Sequence, residues 1–241
     1  MKQPLQGLNE IPDELRAPVR QFATRVGEIL GDNAQGLTLY GAVAAGTFDP
    51  VVHRVQSVAV LGSIDLDQLR RLGAEGPKFG RNRIAAPLVM TAEYIAASRD
   101  AFPLELMEIS QRHVTLFGED YFSQLEFADA DVRLQCERET KTLLIGMRQG
   151  VLAAAGNEKL ITRLEDSLAD AVFRVLRGML WIKGRRQPEP AREVLAHIEE
   201  LANRKLPGIR HAVDKTASRG WAEFQTLYDD IAALAGMVNG W

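Results

Sequence analysis

Apolar positions along the chain change period twice, and those changes divide it. Over residues 11–30, Leu15, Val19, Phe22, Val26, Ile29 and Leu30 recur at three- and four-residue steps, which predicts a helix. Pro12 stands near its start, Pro18 interrupts the pattern and marks an alternative start, and Gly31-Asp32-Asn33 stops it. Leu37 to Tyr40 is short and rich in strand formers and ends at Gly41. Gly41 to Gly46 reads as a glycine turn opening a small helix or tight turn, and Phe48 to Arg54 as a loop. Val55 to Leu61 alternates around Val58 and Val60 and predicts a second strand. Ser63 and Asp65 then cap a helix carrying Leu66, Leu69 and Leu72. That reading is preferred over a metal site built from Asp65 and Asp67.

The polar, glycine-rich stretch 73–83 reads as a solvated connection. Its basic residues Lys78, Arg81 and Arg83, with the preceding Arg71, carry the alternative of a phosphate contact. Ala86 to Met90 predicts a third strand, and Thr91 caps a helix running to Asp100. Phe102 to Ile109 reads as a fourth strand with Pro103 near an edge, followed by a helix over Ser110 to Leu116. From Asp129 onward nothing resembles a strand. Helices are predicted over 131–155, 158–183 and 191–204, with a short one from Pro207 and a last one over 221–238. Short connections between such helices imply an antiparallel bundle. The expected fold class is α+β, a mixed sheet with flanking helices followed by an all-α helical bundle, with domains at 1–127 and 128–241.

Composition narrows the function classes. Of 241 residues, 46% are hydrophobic and 25% charged, which is ordinary globular usage. A net charge of −3 gives no strong nucleic-acid signal. One cysteine, Cys136, excludes an internal disulfide and reads as a small buried residue. No apolar stretch is long enough to span a bilayer, and no signal-peptide pattern is readable, so the expectation is a cytoplasmic protein without a membrane partner. None of the four histidines, His53 and His113 among them, has metal-ligand spacing. The apolar helix around 174–186, with Trp181, reads as bundle core or as a homodimer interface. Lys183, Arg185 and Arg186 read as charge at a helix end or as a phosphate contact.

The stretch Gly41-Ala42-Val43-Ala44-Ala45-Gly46 resembles the glycine motif of the DNA polymerase β-like nucleotidyltransferase superfamily. That motif is Gly-Ser-x-Ala-x-Gly, followed by a strand carrying Asp-x-Asp. The segments 86–91, 98–109 and 116–120 resemble bacterial nucleotidyltransferase-domain proteins, whose catalytic domain is often followed by a helical bundle. The resemblance implies a nucleotide as ligand, with Gly41, Ala42, Gly46 and Ser57 as the nucleotide-binding candidates. It also implies two aspartates holding a divalent ion that bridges the phosphates. By strand alternation those positions fall on Ser57 and Ala59, and neither is a carboxylate. The motif's serine is Ala42.

The expectation is therefore a nucleotidyltransferase-fold protein with a degenerate site, having lost Mg²⁺-dependent transfer and retaining nucleotide binding or a regulatory role. No metal ligand is assigned. The alternative is an active transferase with a rebuilt Mg²⁺ site drawing on Asp49 and on Glu105 or Glu108. At strand spacing those two glutamates would lie on opposite faces. A third reading is a homodimeric interaction protein acting through the bundle.

Overall fold

The structure, a computed structural model, describes residues 4–213 and 220–241, apart from the side chains at positions 166, 167 and 170. The chain forms two compact units. One comprises Met1–Arg99 and Glu105–Glu126, the other Asp100–Leu104 and Phe127–Trp241.

In the first unit, α1 (Asp13–Leu30) runs unbroken through Pro18. The proline is therefore not the helix start. Six residues in, it removes the N–H bond to Glu14 O and crowds that carbonyl, yet the helix continues through it. Strands β1 (Ala34–Tyr40), β2 (Gln56–Leu61), β3 (Leu88–Thr91) and β4 (His113–Gly118) make one sheet in the order β3-β2-β1-β4. β1 is antiparallel to both β2 and β4, and β2 is parallel to β3. Leu15, Val19, Phe22 and Val26 of α1 share one core with Leu37, Leu39, Val55, Ala59 and Leu61 of the sheet. Each such side chain contributes about 1.5–3 kcal/mol of burial.

Between β2 and β3 lie α2 (Leu66–Gly73) and α3 (Gly76–Arg81). Asp65 caps α2, its carboxylate accepting from the N–H groups of Asp67 and Gln68. Helix α3 corrects the expectation of a solvated connection over 73–83. Pro77 preorganises its first turn, and Phe79 anchors it, 6% exposed and packed edge-on against Phe22 with ring centroids 4.9 Å apart. After β3, Thr91 caps α4 (Ala92–Ala97) by accepting from Tyr94 N–H.

The predicted order of the next two elements is reversed. Residues 103–111 form helix α5 (Pro103–Gln111), and the strand is β4, at 113–118. Apolar residues at 104, 106, 107 and 109 satisfy both a period of two and steps of three, so the pattern alone does not decide. Pro103 fits the first turn of a helix, and the β-branched and aromatic residues of His113–Gly118 suit a strand.

The second unit is helical. α6 (Asp129–Ala154) and α7 (Glu158–Ile182) are joined through Ala155 and Gly156, both with positive φ, and Asn157 caps α7. α8 (Ala191–Leu201), α9 (Pro207–Val213) and α10 (Trp221–Asn239) complete it. α6 packs on α7, and α10 packs on α6, α7 and α9. Val175, Leu176, Met179 and Leu180 are buried here, so the apolar helix around 174–186 lines the core of this unit. Cys136 is buried beside Gly178, and burial pushes its thiol up to about 12, out of range for a nucleophile.

Two buried acids fix the approach to α9. Glu199 accepts from Leu206 N–H, Lys205 and Arg210. Asp230 accepts from Gly208 N–H, Ile209 N–H and Arg204. Gly208 lies so close to the backbone of α10 at Leu227 that a Cβ has no room. Among the described residues no helix is long and apolar enough to cross a membrane.

Candidate functional site

β1 ends at Tyr40, and Gly41, at φ 71°, starts a tight turn, the second of the two forms expected there. Ala45 N–H donates to Gly41 O (2.9 Å), Gly46 N–H to Val43 O (3.3 Å) and Thr47 N–H to Ala42 O (2.9 Å). Gly46 closes the turn at φ 68°. Val43, 1% exposed, pins the turn to the core. Among the described residues the N–H groups of Ala42, Val43 and Ala44 have no hydrogen-bond partner. Consecutive unpaired amides on a turn are donors of the kind an anion takes. Ala42 adds a methyl group where the motif has a hydroxyl.

The strand facing this turn is β2. Gln56 lies opposite Tyr40, and its carboxamide oxygen occupies the space that a Cβ on Gly41 would need. Ser57 lies opposite Leu39 and Ala59 opposite Leu37, each 1% exposed. Strand alternation puts Ser57 on the face shared by Val55 and Ala59, the face covered by α1. Its hydroxyl is buried without a hydrogen-bond partner among the described residues. Val58 and Val60, on the other face, are fully buried too.

Asp49 uses its carboxylate within its own loop, accepting Val51 N–H at 2.8 Å. Its N–H donates to His53 Nδ1 (2.9 Å), and His53 N–H donates back to Asp49 O (2.8 Å). Arg83 closes the same loop from outside, donating to Val51 O (2.8 Å) and His53 O (3.1 Å). Glu105 and Glu108 lie on α5, three residues apart, so they share one side of a helix rather than pointing to opposite faces of a strand. Both are half-buried and engaged by neighbours.

At the start of β4, one ring nitrogen of His113 meets Ile109 O and the other meets Asp120, each at 3.0 Å. Asp120 also accepts from Phe122 and Ser123 N–H. Burial pushes its carboxyl up, but these donors outweigh it and hold the carboxyl at about 2. The pair clamps α5 to β4 and leaves neither ring nitrogen free. The basic residues at the end of α7 are also engaged. Lys183 lies over Trp241, Arg185 pairs with Glu189, and Arg186 pairs with Asp129.

A two-metal or single Mg²⁺ centre needs carboxylate oxygens. Ser57 and Ala59, where strand alternation placed the expected carboxylates, lie under α1 rather than beside the turn, and the β2 side chain that meets Gly41 is the neutral Gln56. Among the described residues, no group of three or more His, Cys, Asp or Glu is placed to share one.

Sequence patterning did not single out Gln56 or separate Arg83 from its neighbours. The available signals were a carboxamide beside Ser57 in the mostly apolar run Val55–Leu61, and an arginine next to Ile84, which bridges to Val55 just ahead of β2.

The mixed sheet, its turn and the following helices define a nucleotidyltransferase-like α+β fold. A similar solved structure is spectinomycin adenyltransferase AAD(9) of an Enterococcus, determined with ATP and spectinomycin, with a TM-score of 0.62. At 11% identity the match covers 92% of this chain and 98% of that one. No family model and no curated protein sequence matches.

Proposed function

We propose that this chain is a nucleotidyltransferase-fold protein that binds the phosphates of a nucleotide at the Gly41 turn without Mg²⁺-dependent nucleotidyl transfer, acting as a binding or regulatory protein. The observation that carries the reading is that β2 brings a carboxamide, Gln56, and no carboxylate against Gly41, while Ser57 and Ala59 lie under α1, each 1% exposed. Support for retained binding comes from the free amides of Ala42, Val43 and Ala44 and from the ATP in the structurally similar adenyltransferase. The test incubates the full chain with each of the four NTPs plus Mg²⁺ or Mn²⁺ and measures pyrophosphate release and label transfer. Release no higher than in a no-protein control is expected. Metal-dependent release that disappears in the variants Glu105→Gln or Asp49→Asn would instead establish an active, rebuilt site.

A further inference from the structure

We infer that the phosphate site at the Gly41 turn works without a divalent ion, the guanidinium groups of Arg54 and Arg83 supplying the positive charge. This rests on the nucleotide-binding reading above and specifies its ligand as a di- or triphosphate tail.

The sheet gathers the parts at one end. Gly41 follows the last residue of β1, Gln56 opens β2 opposite Tyr40, and Val55 pairs with Ile84, the residue after Arg83. Neighbouring strands lie about 4.8 Å apart, which puts the backbone of Arg83 about 10 Å from the turn, a gap that an arginine side chain and a phosphate together bridge.

Arg83 is held in place by the backbone. At φ 60° it occupies a conformation that non-glycine residues seldom adopt. It is fixed there by Arg83 N–H to Gly80 O (3.1 Å) and Val55 N–H to Arg83 O (2.8 Å). Its guanidinium meets two neutral carbonyls, and among the described residues it forms no ion pair. Its Nε is buried without an acceptor. A half-buried cation with no counter-charge is costly unless an anion completes it. Arg54 is exposed and also forms no ion pair among the described residues. It lies two residues before Gln56, in the segment that leads into the strand whose first carboxamide meets Gly41. The acid in this segment is Asp49, whose carboxylate is turned to Val51 N–H. The loop 49–54 together with Arg83 thus carries two guanidiniums and one acid.

The charge pattern is the reverse of a metal-dependent site. There, acids and phosphates repel, and a divalent ion between them is obligatory. Here the acids are gone, and guanidinium binds phosphate oxygens directly, in a fork suited to two of them.

The test is titration calorimetry on the full chain with ATP, tripolyphosphate and adenosine, each in Mg²⁺ and in EDTA. ATP is expected to bind with the same Kd in both buffers, within about threefold, and tripolyphosphate within about tenfold of ATP. Arg54→Gln is expected to weaken ATP by about tenfold or more, while Arg71→Gln, on α2, leaves it unchanged. Arg83→Gln is expected to lose binding with an unchanged far-UV spectrum. Loss of ATP binding in EDTA, adenosine binding as tightly as ATP, an Arg54→Gln variant equal to wild type, or no binding in either buffer would each overturn the inference. The pyrophosphate assay is independent of these outcomes, so the no-transfer reading stands or falls separately.

Discussion

Ser57 shows how a residue's surroundings decide what its position means. Its hydroxyl is buried with no partner among the described residues, so it is a cost to the fold rather than a gain. Ser57→Ala is expected to leave stability unchanged or raise it by up to about 1 kcal/mol, read as the urea midpoint. Ser57→Asp buries a carboxylate under α1 and is expected to cost several kcal/mol, about 3 or more. If Mg²⁺ restored the stability of that variant, a latent metal site would exist and the proposed reading would be wrong. Gly118 makes a second residue-scale case. It sits at φ 78°, and a Cβ there would run into the Gln35 carbonyl of the neighbouring strand. Gly118→Ala is expected to cost about 2 kcal/mol or more and to lower Tm accordingly.

Caps were legible at the level of elements. Asp65 and Thr91 were readable because an N-cap is local: an oxygen, a non-helical φ and two nearby N–H groups suffice. Asp65→Ala is expected to destabilise by about 1 kcal/mol, measurable by urea denaturation, since it frees the N–H groups of Asp67 and Gln68 together. The segment 102–118 was misread because its outcome is tertiary. Leu104, Leu106, Met107 and Ile109 are all buried, and a segment covered on several sides loses the alternation that separates strand from helix. Phe79 explains α3 in the same way: a polar, glycine-rich stretch becomes a helix because one aromatic ring reaches Phe22. For the site, the glycine turn could be read from residue types, but not which side of β2 meets it: Gln56, rather than Ser57, lies against Gly41. The roles of Gln56 and Arg83 could not be read, because they depend on which strand lies beside which. The reversal of Glu105 and Glu108 from opposite faces to one side of α5 follows from the same misassigned period.

The molecule as a whole has a pH dependence set by a few acids. Burial alone would raise Glu199, but Leu206 N–H, Lys205 and Arg210 hold it at about 2. A carboxylate depressed in the native state adds stability above its ordinary value near 4.5, and that stability is lost as pH falls towards 2. Asp120, also at about 2, acts in the same direction. Asp230 acts oppositely, because burial raises it despite the donors Ile209, Gly208 and Arg204. Stability against unfolding is therefore expected to fall between about pH 4.5 and 2, with Glu199→Gln flattening the acid limb, observable as a smaller change in Tm across that window. The path of the chain adds a constraint of another kind. It enters the helical unit at Asp100, returns to the sheet unit at Glu105, and crosses again at Phe127. Leu104, whose N–H donates to Gln135 at 2.8 Å, is one peptide bond from a residue of the sheet unit. A fragment ending at 126 would strand Leu104 without that acceptor, and one beginning at 127 would leave Gln135 without its donor. The two units are not interchangeable cassettes. A junction that keeps this bond would have to carry residues 100–104 with the helical unit, so no single cut separates the two.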